Sequence, residues 1–492
     1  MQYGKESKDA TRKLVKFSVE TSFEDLSPEA IHATKRMVLD SIGVTLVGSL
    51  FPSAKCVTDT MLELGGANQA TIISNAKMVP APNAAFANAE LLYATEMDAV
   101  FQNFGHITAY VFPTILSLAE YTRTKGKDFV TALAVGYDVS ARIGLSLSPL
   151  VYLKGDVNDV TKMEIGTSET YGFGWTTFGC VAGGGRLLGL DEGHMAHAFG
   201  LAGYTAPSPF MMKAINESPP TMAKDAVAGW QCHNVVTSLL LAKRGYTGDK
   251  RIFDGPMGFW KFWGSIRWDT DVLFDALGEK WWVTHQTYKL WPMVSLLFNN
   301  IELTQNLVKE HKIMPEEVDA IEFYGHPVFV DSPIFSTDKI EDEIGAEWNA
   351  KFSIAMAVLG LEEKYLDWVL KKYWEDERVK SLMEKVEIKA HPKLNELIYK
   401  QIGTMPYPGI YRWPSEIVIK ARDKEFRAYK EYFKGHDAIH DSRLNDDELK
   451  EKFLGNALRI LPRDKCNCVI EIVMNLEKLD FIDTLTQYLR PF

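Results

Sequence analysis

The residues best equipped for chemistry in this sequence are one histidine, the acids that precede it and two distant lysines. His106 follows Glu96 and Asp98 across a short aromatic loop, Phe101-Gln102-Asn103-Phe104-Gly105. Imidazole titrates near neutrality, so a histidine beside carboxylates can take a proton from carbon and return it. Lys224 lies between an apolar helix and a Pro-rich loop, Pro207 to Pro220, and Lys289 lies among Trp281, Trp282, Tyr288 and Trp291. Ammonium groups so placed can offset negative charge that develops on a carboxylate-bearing substrate. Spacing alone leaves plainer accounts open: a loop histidine bonded to backbone, and lysines that are solvated or snorkelling.

Other constellations carry less. His194 and His197 stand at i, i+3 on a helix without a third metal ligand nearby, so packing or surface is expected of them. Gly183-Gly184-Gly185 has neither a Walker lysine nor a preceding strand and reads as close helix packing. His285, just before Lys289, is a further candidate. Cys466 and Cys468 lack partners at zinc or iron–sulfur spacing, and the five scattered cysteines read as reduced thiols.

The elements that must position these residues fall into two kinds. Up to about residue 265 the chain reads as helical. Ser27-Pro28-Glu29 is a helix start, Ile31 to Gly48 a core helix, and Ala84 to Asp98, Phe129 to Ile143, Glu192 to Leu201 and Val235 to Lys243 further helices. After about residue 270 short strand-like runs appear at Ala320 to Tyr324, Val386 to Lys389, Glu416 to Ala421 and Phe426 to Tyr432, with helical stretches between them. Helix returns from Asp446 to Ala457 and from Asp464 to Leu489. The expected fold is mainly α, a helical body interrupted by an α+β segment, with a cleft at the junction.

The 492 residues suggest two or three domains, and 46% hydrophobic with 24% charged is ordinary for a soluble globular chain. A net charge of −11 argues against nucleic acid as a partner and means that an anionic substrate needs local positive charge. Met1 to Val19 has no apolar signal core, and the longest apolar run, Ile107 to Ala119, contains Pro113 and is too short to span a bilayer. A cytoplasmic protein without a membrane partner is expected.

Several segments, in order, resemble the MmgE/PrpD family, cofactor-free enzymes that include dehydratases, decarboxylases and an epimerase working on C–H bonds beside carboxylates. They are Leu39-Asp40-Ser41-Ile42-Gly43 with Gly48-Ser49; Ala85-Phe86-Ala87-Asn88-Ala89 through Asp98 to His106; Gly136-Tyr137-Asp138 with Arg142-Ile143-Gly144; and Phe178-Gly179 through Asp191. Lys224 with Gly229, Lys289 with Trp291-Pro292, Ala350-Lys351-Phe352-Ser353 and Lys434-Gly435 complete the series. The resemblance implies a large helical domain built from both chain ends, residues 1–268 and 433–492, and a smaller α+β lid, residues 269–432. It also implies a homodimer, a small-molecule carboxylate as substrate, and neither metal nor organic cofactor. It makes His106 the base and gives Lys224 and Lys289 the carboxylate.

The match breaks at pocket positions. Tyr93 stands where the family has a histidine, Glu96 matches the first aspartate of the acidic run, and Ala99 and Val100 replace a second aspartate and a threonine. Thr170 falls near another expected histidine, Val227 replaces a third, and Ala355-Met356 replaces a Gln-Tyr pair. Tyr93, Glu96, Phe104, Thr170 and Met356 are therefore the expected substrate-lining positions, and a substrate more apolar than a tricarboxylate is expected. The reaction expected is that of a lyase. The alternatives are an isomerase or epimerase sharing the first proton abstraction, and a non-catalytic family member.

Overall fold

Ser27 starts the helix expected of it. Its hydroxyl accepts from the Ala30 N–H at 3.1 Å, Pro28 occupies the first turn, and the helix runs over Pro28–Gly48. Almost all of it is buried, because it is the central post of the helical body. The Ala81–Tyr93 helix packs on one side of it, and the Asp446–Ala457 and Arg463–Met474 helices pack against it from the other end of the chain. Lys452 reaches in from the Asp446–Ala457 helix to Asp40 at 2.6 Å, and both groups are buried. The computed structural model describes residues 7–101, 105–148, 151–154, 164–168, 170–217, 219–224, 227–361, 365–393, 396–397, 413–436 and 440–490.

Small residues set the helix spacing. A Cβ on Gly48 would overlap the Leu91 carbonyl, and one on Gly179 would overlap the Gly136 carbonyl and the Ser140 hydroxyl. The Gly126–Ser146 and Thr176–Leu187 helices therefore cross almost backbone to backbone. Gly183, Gly184 and Gly185 lie against Ile115, Leu118, Leu239 and Met195, as close packing predicts.

The α+β part is built on a four-stranded sheet ordered Lys424–Lys430, Ser415–Ala421, Val318–Gly325, Val386–Ala390. The first three strands are antiparallel and the last pair is parallel. Arg422 and Asp423, both with positive φ, make a two-residue turn between paired Ala421 and Lys424. The Phe298–His311 and Ala350–Leu359 helices pack on each other and on the sheet. Two helices follow one another, Glu343–Trp348 and Ala350–Leu359, separated because Asn349 caps the second by accepting from Phe352 N. The chain is thus mainly α with a smaller α+β region. Among the described residues no single helix is long and apolar enough to cross a membrane.

Candidate active site

The helix expected to reach Asp98 stops at Tyr93. Beyond it the Thr95 hydroxyl accepts from the Met97 N–H at 3.1 Å, a local turn that competes with the helical ladder. Glu96 takes a left-handed φ of +50°, unfavourable for a residue with a side chain and a recurrent feature of functional sites. The turn sends Glu96 and Asp98 inward, both fully buried. The Val100–Phe101 strand then pairs with Gln286–Thr287, which brings Lys289 alongside.

That second strand is anchored from three places. Arg142, bonded to Asp138 at 2.5 Å, also donates to the carbonyls of Leu273, Asp275, Ala276 and Lys280. Asp138 accepts from the Trp282 N–H at 3.0 Å. Gly435, with φ +112°, lets the Tyr288 N–H donate to its carbonyl at 2.9 Å, and a Cβ there would strike the Tyr288 carbonyl. The Asp138–Arg142 and Lys434-Gly435 motifs are in this sense supports for Lys289.

Lys224 and Lys289 converge on Glu96. The Lys224 ammonium bonds Oε1, the Lys289 ammonium bonds Oε2 at 2.7 Å, and the Trp348 indole N–H, from the α+β part, donates to Oε1 at 3.3 Å. Lys224 also lies over the Trp348 ring at 4.5 Å and the Tyr93 ring at 5.4 Å. Burial alone would push the Glu96 carboxyl up; Lys224, Lys289 and His106 outweigh it and hold the group well below the usual carboxylate range. Lys289 is 3.6 Å from Asp98, and Asp98 in turn holds His106 Nδ1 at 2.9 Å.

Just before His106, Phe101 and Gly105 exchange both backbone hydrogen bonds, at 2.7 and 2.9 Å. The His106 ring lies 4.5 Å from that of Tyr93 and 5.1 Å from that of Phe173. With Asp98 accepting from Nδ1–H, the neutral ring carries its lone pair on Nε2. This carboxylate–imidazole dyad, with two ammonium groups next to it, suits proton abstraction at carbon and stabilisation of the charge that follows. Donor atoms of Glu96, Asp98 and His106 lie within 4.8 Å of one another, a spacing suited to a metal ion. The Lys289 ammonium, bonded to one of these carboxylates and near the other, takes a cation's place among them.

Models of the MmgE/PrpD N-terminal domain and the MmgE/PrpD C-terminal domain match residues 12–267 and 291–478. The chain belongs to the MmgE/PrpD family. It is similar to cis-aconitate decarboxylase of Mus musculus, 23% identical over 482 residues that cover 94% of this chain and 90% of the relative. The Homo sapiens cis-aconitate decarboxylase is 22% identical over 488 residues, covering 94% and 91%. The cis-aconitate decarboxylase-like protein oryM of Aspergillus oryzae is 22% identical over 492 residues, covering 95% of each.

Within this MmgE/PrpD chain, His106, Lys224 and Lys289 meet as expected from the sequence, linked through Glu96 and Asp98. Tyr93 lies against His106 and Lys224. Glu96, expected to line the substrate pocket, joins both lysines through its carboxylate. The Thr170 hydroxyl donates to the Gly264 carbonyl at 3.0 Å. Met356 is wholly buried within the hydrophobic core. Phe104 lies outside the described residues. Two contributors escaped the sequence reading. Trp348 precedes a family motif but belongs to none. Phe173 lies outside the matched segments, five residues before Phe178-Gly179, yet its ring faces that of His106. His285 bonds its neighbour Thr284 at 2.9 Å, and His194 and His197 bond Asp191 and the Gly248 carbonyl, so none of the three joins the cluster in these contacts.

Proposed function

We propose that this chain is a lyase of the dehydratase or decarboxylase type, in which His106 takes a proton from carbon beside a carboxylate. The observation that carries the reading is the buried His106–Asp98 dyad at 2.9 Å, joined through Lys289 and Glu96 to a second ammonium group. In the dehydratase direction the C–H bond breaks toward His106 Nε2 and its electron pair forms a carbon–carbon double bond. The C–O bond breaks, and the imidazolium returns its proton to the departing oxygen as water. In the decarboxylase direction the C–C bond breaks, CO₂ leaves, the electron pair stays on carbon, and an imidazolium at His106 that carries its proton before the reaction delivers it to that carbon. Lys224 and Lys289 offset the charge on the substrate carboxylate in either case. Full-length similarity to proteins named cis-aconitate decarboxylase supports the lyase class. The rings of Tyr93 and Phe173 beside His106, with Tyr110 and Tyr171 packed on them, support a substrate more apolar than a tricarboxylate.

The test is to incubate the protein in D₂O with a panel of short carboxylates and follow each by proton NMR, with His106→Ala in parallel. Loss of water or CO₂ by the wild type, reduced by roughly 10²–10⁴ in the variant, is the expected result. Deuterium uptake without net elimination would move the reading to an isomerase. Equal behaviour of both proteins would sink it.

A further inference from the structure

Both oxygens of Glu96 are engaged by the groups that a substrate carboxylate would use. Oε1 accepts from the Lys224 ammonium and the Trp348 indole, and Oε2 accepts from the Lys289 ammonium at 2.7 Å. Two cations and an N–H around one carboxylate make a complete recognition set, and a protein side chain fills it. The side chain is delivered there by a backbone held at φ +50°. The surrounding charges also balance, Lys224 and Lys289 against Glu96 and Asp98, when His106 is in the neutral form that can accept a proton.

We propose that Glu96 is a built-in occupant of the carboxylate site, and that it restricts the reaction to substrates carrying a single carboxylate. The proposal rests on the reading that this cluster receives the carboxylate of a substrate. Lys289 has three donors and lies 2.7 Å from Glu96 and 3.6 Å from Asp98. A monocarboxylate adds one negative charge. Proton abstraction then makes His106 positive as the substrate gains its second negative charge, so the overall balance is kept. A tricarboxylate adds two more anions beside Glu96 and Asp98 in a buried place, where like charges repel strongly. The same logic gives the side-chain length a meaning: an aspartate on this backbone is one methylene short of the point where both ammonium groups meet.

Calorimetric titration of wild type, Glu96→Asp and Glu96→Gln with butanoate and with propane-1,2,3-tricarboxylate tests this. The tricarboxylate should bind Glu96→Gln about 10–100-fold more tightly than wild type, Glu96→Asp should fall between them, and butanoate should change much less. Thermal melting checks each variant; if Glu96→Gln fails to fold with its ammonium groups uncompensated, Glu96→Asp carries the comparison. Equal tricarboxylate affinity in wild type and variants overturns the proposal, as does the failure of all three proteins to bind either probe. Binding needs no turnover. A wild type that binds the tricarboxylate tightly and still exchanges a substrate proton through His106 defeats this proposal alone, whereas exchange that survives His106→Ala defeats the functional reading.

Discussion

Asp98 has two neighbours that matter, the imidazole at 2.9 Å and the Lys289 ammonium at 3.6 Å. Its charge holds the ring so that Nε2 carries the lone pair and steadies the imidazolium once a proton arrives. Asp98→Asn keeps the shape and removes the charge. We expect proton exchange or turnover to fall by roughly 10²–10⁴ and its pH profile to move, with substrate affinity changed far less. Deuterium incorporation measured across pH checks both. His106 and the two lysines were legible in the sequence because each sits in a short motif of recognisable order. The bridging by Glu96 was not, since its partners lie 128, 193 and 252 residues away and nothing local encodes such contacts. Trp348 was hidden for the same reason.

At the scale of elements, the helices with strong local signals were readable. Ser27 and Pro28 mark the start of one, and Asn445 with Glu448 form a capping box at the start of another. The end at Tyr93 was not, because apolar periodicity continues past it while the Thr95 hydroxyl and the backbone of Glu96 turn the chain aside. Two-residue strands such as Val100–Phe101 and Gln286–Thr287 are too short to show alternation, yet they bring Lys289 to the acids. Glycine spacing leads to a prediction at this scale. Gly179→Ala would force apart the Gly126–Ser146 and Thr176–Leu187 helices, and overpacking of this kind costs about 1–3 kcal/mol or more. A fall in melting temperature of several degrees, or failure to accumulate soluble protein, is the expected outcome. A melt matching wild type would show that the crossing can open.

For the whole molecule, buried histidines tie stability to pH. Burial pushes His326 down to about 4, and burial together with the nearby His285 does the same for His436. The unfolded chain binds these protons below about 6.5, the folded chain only below about 4, so acid favours unfolding across that window. Each group contributes about 2–3 kcal/mol that is present above 6.5 and lost as pH falls toward 4. Melting temperature followed from pH 7 to 4 should drop steadily, and His326→Gln, which can still accept from the Val328 N–H, should flatten part of the slope. An unchanged slope would remove His326 from the account. The general plan of helical body and α+β segment was readable from composition and periodicity, but the junction contacts were not, because they join segments from opposite ends of the chain.

Gly435 adds a question of timing. Its carbonyl fastens Tyr288 beside Lys289, yet it emerges from the ribosome well over a hundred residues later. While residues 290 to 434 are added, the growing polypeptide already contains every acid and base of the cluster but lacks the clasp that seats one of them. A product cut short before this clasp carries the reactive groups with one of the three anchors of that strand missing.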